Sequence, residues 1–329
     1  MARLLRIVMP VYNDWTSAVE LVRNLDRALL GKGWRVQVIA VDDGSTQGTA
    51  PAAIMPLSAI ELVEVVELET NLGHQRAIAT GLVHAYNSGP FDHLAIMDSD
   101  GEDTPEALVG LLETALAEPG VAVVAQRAER SEGFVFRLFY QIYVKLFQLL
   151  TGKRINFGNF MVLPQAHVRR LAHVPNIWNN LAATLVHSKV PVHYVPTARG
   201  TRYAGQSSMG FVGLVLHGLG AISVFAETVF VRMLIVSLIV LGLAAVTAAG
   251  VVGLRFLTDL AMPGWSTTVM TFLVSVALQA VMVPVLLAFI VLGNRSSIQV
   301  LPIDMAPRFI RDCRALHGTL HAALTQAAE

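Results

Sequence analysis

The chain has 329 residues, 54% hydrophobic and 15% charged, with 24 basic and 24 acidic side chains that cancel. That length exceeds one average domain, and the apolar excess excludes a disordered chain and sets the protein apart from ordinary soluble globules. A single cysteine, Cys313, excludes an intrachain disulfide and suits a reducing compartment.

Residues 4–9 are a predicted strand running into Pro10-Val11-Tyr12-Asn13-Asp14. A helix follows, with Val19, Leu21, Val22, Leu25, Leu29 and Leu30 near 3.6 spacing and Gly31 to stop it. Residues 34–41 form a second strand that ends in Asp42-Asp43-Gly44-Ser45. Residues 61–68 form a third, followed by Thr70-Asn71-Leu72-Gly73 and a helix over about 74–86. The fourth, Leu94-Ala95-Ile96-Met97, runs into Asp98-Ser99-Asp100, and residues 121–125 form a fifth. Between them Thr104 is the expected cap of a helix, with Pro105 in its first turn and Glu106 near its positive end. Strands alternating with helices of about 10 to 15 residues call for an α/β fold with a doubly wound, mostly parallel sheet. Ligands of such sheets lie outside the carboxyl ends of the strands, where all these polar clusters fall. Neither Gly-x-Gly-x-x-Gly nor Gly-x-x-x-x-Gly-Lys occurs, so no dinucleotide fingerprint or P-loop is present.

Asp98 and Asp100 offer hard oxygen ligands at the mouth of that sheet, suited to Mg²⁺ or Mn²⁺ and through the ion to a nucleotide diphosphate. Asp-x-Asp also occurs in capped loops, which is the plain alternative. Similarly, Asp43-Gly44-Ser45 fits a turn with a helix cap.

The apolar excess is local. Residues 233–254 and 260–293 carry no charge, and each contains a segment able to cross about 30 Å of hydrocarbon. The expected transmembrane hairpin spans about 230–255 and 268–293; a buried helical pair is the alternative. Arg232 precedes the first span, and Arg295, Arg308, Arg311 and Arg314 follow the second. This bias predicts a multi-pass protein of the inner or plasma membrane, with both termini and the catalytic domain cytoplasmic. No signal peptide is expected, because the apolar run before Asp14 is too short.

Residues 1–132 hold 19 of the 24 acidic side chains, whereas residues 133–226 hold none and nine Lys or Arg. A basic stretch just before a membrane hairpin suits anionic headgroups or a phosphate. Group transfer to a hydroxyl needs a general base, but a phosphate is already ionised and attacks directly. The missing acids therefore favour a phosphate acceptor.

Pro10-Val11-Tyr12-Asn13, Val41-Asp42-Asp43-Gly44-Ser45, Asn71-Leu72-Gly73, Gly81-Leu82 and Met97-Asp98-Ser99-Asp100 together resemble the family-2 glycosyltransferases of GT-A fold. The closer likeness is to the polyprenyl-phosphate group that contains dolichyl-phosphate mannosyltransferase. The resemblance covers about residues 4–210 and the hairpin behind them. It implies that Asp100 is a metal ligand, with Asp98 sharing the ion or placing the ribose and Glu102 adding a third carboxylate to the metal site. Asp42 would meet the nucleotide base, in a slot lined by Pro10, Tyr12 and Asn13. Asn71, Gly73 and Arg76 would face the donor diphosphate. Arg127, Arg130 and Arg137 resemble the residues that grip the lipid phosphate. Arg202 and Ser207, in Arg202-Tyr203-Ala204-Gly205-Gln206-Ser207, resemble a loop that closes on the donor phosphates, and Asn159 would orient a sugar hydroxyl. The chain departs from the group at Glu102, where Gln is usual, at Asn159, where Asp is usual, and at Tyr140 and Ser208.

The expected organisation is a catalytic domain over 1–200, a juxtamembrane segment over 201–228, the hairpin over 229–293 and a tail over 294–329. That tail is expected to carry an amphipathic helix over about 309–324. The expected partners are a UDP- or GDP-linked sugar, a polyprenyl phosphate or other membrane lipid, and the bilayer, with self-association left open and no nucleic acid. The expected activity is metal-dependent sugar transfer to a polyprenyl phosphate. Transfer to a glycerolipid hydroxyl and a silent nucleotide-sugar-binding scaffold are the alternatives.

Overall fold

The structure, a computed structural model, describes residues 3–48, 50–54, 56–127, 134–204, 210–257, 264–296 and 299–319. In chain order the elements begin with β1 (Arg3–Val11), α1 (Trp15–Leu29), β2 (Trp34–Asp42), β3 (Ile60–Leu68) and α2 (His74–Asn87). Next come β4 (His93–Ile96), α3 (Pro105–Ala117), β5 (Ala122–Arg127), α4 (Phe134–Thr151), β6 (Met161–Pro164), α5 (Gln165–Ala172), α6 (Leu181–His187) and β7 (Val192–Thr197). Then α7 (Phe211–Ser223), α8 (Ala226–Leu257), α9 (Trp265–Ser296) and β8 (Ile310–His317) complete the described fold.

The strands form one mixed sheet in the order β7-β5-β6-β4-β1-β2-β3-β8. β1 pairs in parallel with β2 and β4, β2 with β3, and β5 with β7, while β6 and β8 run antiparallel to their neighbours. This is the mixed α/β sheet typical of GT-A. Both faces are covered, so the central strands are apolar without alternation: Ile7, Val8 and Met9 are all fully buried. On one face α1 presents Leu21, Val22, Leu25 and Leu29, each worth about 1.5–3 kcal/mol of burial. Asp14 caps that helix on Ser17, and Gly31, at φ +74°, lies just past its end. α2 covers the other face. Gly81 lets it approach, because a Cβ there would strike Val8 and Val41. Thr104 caps α3 with Pro105 in its first turn, as the sequence predicts.

The tail departs from expectation. Residues 310–317 form a strand, β8, in place of the predicted helix. Phe309, Ile310, Cys313 and Leu316 do have helical spacing. The outer edge of β3 offers an unpaired ladder, however, and Glu67 receives Arg311 Nη2 at 2.6 Å and Arg314 Nε at 3.3 Å. Tertiary pairing overrides the local pattern.

The contacts divide the chain into two units. The first comprises Met1–Leu138, Ile155–Val224 and Val300–Glu329, and the second Phe139–Arg154 and Phe225–Gln299. Within the second, α8 and α9 pack along each other, and their outward surfaces are apolar, with Leu243, Val246, Phe272 and Phe289 exposed. Both helices are long and apolar enough to cross a membrane, with mean hydropathy of 2.7 and 2.5. Pro284 lies inside α9.

Candidate active site

The topology gathers the polar clusters by register. Val11 pairs with Asp42, Asp42 with Glu67, and Val8 with Ile96, so β1 to β4 end on one edge of the sheet. β6 runs antiparallel to β4 and starts at that edge, which brings Asn159 beside Asp98. β5 and β7 end there too, with Arg127 paired to Thr197 just before the Arg199–Arg202 loop.

Asp42 and Asp43 tie the edge together. Asp42 accepts from Trp15 Nε1 at 3.2 Å and from the Ser45 amide at 2.9 Å. Both Asp42 oxygens are thus held by the fold, and no helix follows for Ser45 to cap among the described residues. Asp43 accepts from the amides of Leu72 and Gly73 at 2.6 and 3.0 Å. Burial raises its carboxyl above the ordinary value against the pull of those donors. Gly44, at φ +68°, lies so close to Thr70 and Asn71 that a Cβ would strike their backbone. Asn13, itself at φ 54°, accepts from Thr46 and Gln47 through Oδ1. Pro10 is buried at the end of β1, Tyr12 is exposed at the mouth, and Asn71 and Arg76 are exposed on the rim. Gly73, at φ +87°, precedes α2.

The aspartate loop is braced from below and held from above. Asp103, 3% exposed, accepts from the Asp98 amide at 3.0 Å, so its carboxylate supports the loop. Asp100 Oδ1 accepts from the Glu102 amide at 2.9 Å. Arg202 Nη2 meets Asp100 Oδ2 at 2.5 Å, while its Nη1 lies 4.0 Å from Asp14 Oδ2 and its Nε 4.0 Å from Glu102 Oε1. Arg199 donates to Glu102 Oε2 at 2.6 and 3.0 Å. Two backbone bonds, Gly200 N to Glu102 O and Tyr203 N to Asp100 O, complete the strap. The Tyr203 ring covers Gly101.

A second polar layer lies toward α2. His74 Nε2 is 3.4 Å from Asp98 Oδ1 and 3.0 Å from Asn159 Nδ2. Gln75 donates to Asn159 at 3.2 Å and accepts from the Leu181 amide at 2.8 Å. Burial holds the His74 imidazole below its usual value, although Asp43, Asp100 and Asp103 pull it upward. His217, on α7, contacts Asn180 at 3.4 Å and is also lowered, by burial and by His74.

The structure thus brings Asp98, Asp100, Glu102, Asn159 and Arg202 together. Arg127 ends β5 at the same edge, and Arg137 lies in the first turn of α4. Arg130 and Ser207 lie outside the described residues. Sequence reasoning gave no role to His74, Gln75 or Arg199, whose hydrogen-bond partners Asn159, Leu181 and Glu102 lie 84 to 106 residues away. The donor set fits the metal that the fold family implies: two carboxylates with hard oxygens, one already facing a guanidinium cation.

The family model for glycosyl transferase family 2 matches residues 6–173, and the chain belongs to that family. It is similar to an undecaprenyl-phosphate 4-deoxy-4-formamido-L-arabinose transferase of Klebsiella pneumoniae (strain 342), 27% identical over 223 residues. That match covers 64% of this chain and 63% of the relative, so it spans a little under two thirds of the relative's length. Among solved structures it is similar to mannosyl-3-phosphoglycerate synthase from Rubrobacter xylanophilus, with TM-score 0.45 and 17% identity over 68% of this chain and 73% of that one. Glucosyl-3-phosphoglycerate synthase from Mycobacterium tuberculosis, crystallised with Mn²⁺, UDP-glucose and phosphoglyceric acid, gives 0.48 and 14% over 69% and 80%.

Proposed function

We propose that this glycosyltransferase is anchored by α8 and α9 in the inner or plasma membrane, with the catalytic unit and both termini cytoplasmic. It moves a sugar, with inversion, from a nucleotide diphosphate to a polyprenyl phosphate. The observation that carries this reading is the Arg202–Asp100 pair at the mouth of the parallel strands, where a cationic group and a carboxylate converge. The acid-free stretch over 133–226 and the polyprenyl-phosphate chemistry in the name of the Klebsiella relative support it.

In this reading Asp98 and Asp100 hold Mg²⁺ or Mn²⁺, which when bound supplies positive charge beside the diphosphate. Arg202 exchanges Asp100 for the diphosphate and stabilises the charge that develops as the anomeric bond breaks. Tyr12 and Asn13 line the base slot, while Asn71, Gly73 and Arg76 face the donor phosphates. Arg127, Arg130 and Arg137 offset the acceptor's charge. An acceptor phosphate oxygen forms the new bond to the anomeric carbon, and the nucleoside diphosphate leaves with the old bonding pair. No proton need be removed from the acceptor.

Transfer to a lipid hydroxyl is the second reading. It is favoured by His74, an imidazole with lowered pKa 3.4 Å from Asp98, which has the chemistry of a general base. The test is turnover by the full-length protein in detergent with Mg²⁺ or Mn²⁺. UDP- and GDP-sugars are offered with undecaprenyl phosphate or diacylglycerol, and Asp100→Ala is the blank. Sugar on the polyprenyl phosphate supports the first reading; sugar only on the hydroxyl lipid supports the second. Donor binding without transfer to either favours a silent scaffold.

A further inference from the structure

Well away from the aspartate loop, three side chains of metal-binding type converge from three elements. Glu64 lies in the middle of β3, His84 near the end of α2, and Cys313 on β8. One ligand atom of each lies within 4.8 Å of the other two. Glu64 is 2% exposed and His84 7%. Glu64 Oε1 and His84 Nε2 face each other at 3.0 Å, yet neither has a partner in hydrogen-bonding geometry. Two buried polar atoms left in that state are costly unless a further group binds them both. Arg6, whose guanidinium interacts with the charge of Glu64, directs its donors elsewhere: to Gln37 and to the carbonyls of Ala85, Ser88 and Gly89 at the end of α2.

We propose that Glu64, His84 and Cys313 form a second, structural site for a divalent transition ion of the zinc class, which fastens β8 to the sheet. Carboxylate, imidazole and thiolate together suit Zn²⁺ and disfavour Mg²⁺, whose ligands are hard oxygens. The three residues would supply three ligands to such an ion. Cys313 lies on the edge strand and is only half-buried, which leaves an entry path. Its thiol is pushed up to about 12 by burial and by the negative charge of Glu64 and Asp312. The site is independent of the catalytic reading, since its ligands are not those of the aspartate loop.

Cys313 is the only cysteine, so a thiolate-to-metal charge-transfer band reports this site alone. The full-length protein, reduced and stripped with a chelator, is titrated with Co²⁺ in excess Mg²⁺, which keeps the hard oxygen site filled. The expected result is a near-ultraviolet charge-transfer band that saturates at one equivalent and is bleached by Zn²⁺. Cys313→Ser should lack it, and Glu64→Gln should need at least about tenfold more Co²⁺. Zn²⁺ should raise the unfolding temperature of the wild type and leave Cys313→Ser unmoved. A folded wild type with no thiolate band overturns the proposal. So does an equal zinc shift in Cys313→Ser, whose fold is checked independently by circular dichroism.

Discussion

Arg202 donates to Asp100 at 2.5 Å, joining two loops that lie 102 residues apart in the chain. The carboxylate expected to hold the ion and the guanidinium expected to hold the diphosphate are already paired. Under the proposed function, donor binding would exchange one charge pairing for another rather than fill an empty mouth.

Asp100→Asn should lower turnover at saturating donor by about 100-fold or more, the usual scale for loss of a group acting on developing charge. Arg202→Ala should cost a comparable factor. The double variant should lose little more than either single one, because the two act as a unit. A strictly multiplicative loss in the assay would show that they act separately.

Gly101 sits at φ +89° under the Tyr203 ring, where a Cβ would overlap the ring. Gly101→Ala should cost about 1–3 kcal/mol of stability through backbone strain, with a further loss from unseating Tyr203. Adding Tyr203→Ala should recover the second part and leave the first. Thermal melts of the two single variants and the double variant separate these contributions.

Asp26 accepts from the amides of Ser58, Ala59 and Ile60. Burial alone raises its carboxyl, but these donors, with His317, outweigh that and hold it below the ordinary value. A lowered folded value means that its stabilisation is present above the ordinary carboxylate range. It is lost as pH falls through the folded value. Asp26→Ala should therefore cost about 1–2 kcal/mol near pH 7, with the gap to wild type closing in acid. Urea melts across that range provide the check.

Glu67 is held below its ordinary value, chiefly by the Arg311 hydrogen bond, against burial and with help from Arg314. Arg314 also donates to the carbonyls of Ala50 and Pro51. Glu67→Gln should loosen β8 selectively. Hydrogen exchange should quicken in residues 310–317 while β1 and β2 stay protected.

Much of this was legible in the sequence because it rests on local signals. The apolar runs ending in Asp42 and Asp98, the Thr104-Pro105 helix start and Gly31 each state their structure within a few residues. Strands β6 and β7 were missed. Met161–Pro164 is too short for its period to show, and Val192–Thr197 mixes exposed and half-buried positions. His74 carries no local mark of its place beside Asp98, because only the packing of α2 against β4 and the antiparallel entry of β6 put Asn159 and Asp98 around it. β8 was misread for the same reason, since its partner ladder lies about 250 residues upstream.

The position of β8 sets an order of events during synthesis. The ribosome makes α8 and α9 before the last strand of the sheet, so the outer edge of β3 stays bare until both long apolar helices have been made. A truncation that simply removes the hairpin and everything after it would leave that edge as a template for intermolecular pairing. A soluble catalytic fragment should instead be made by excising residues 225–299 and splicing β8 back through a short linker.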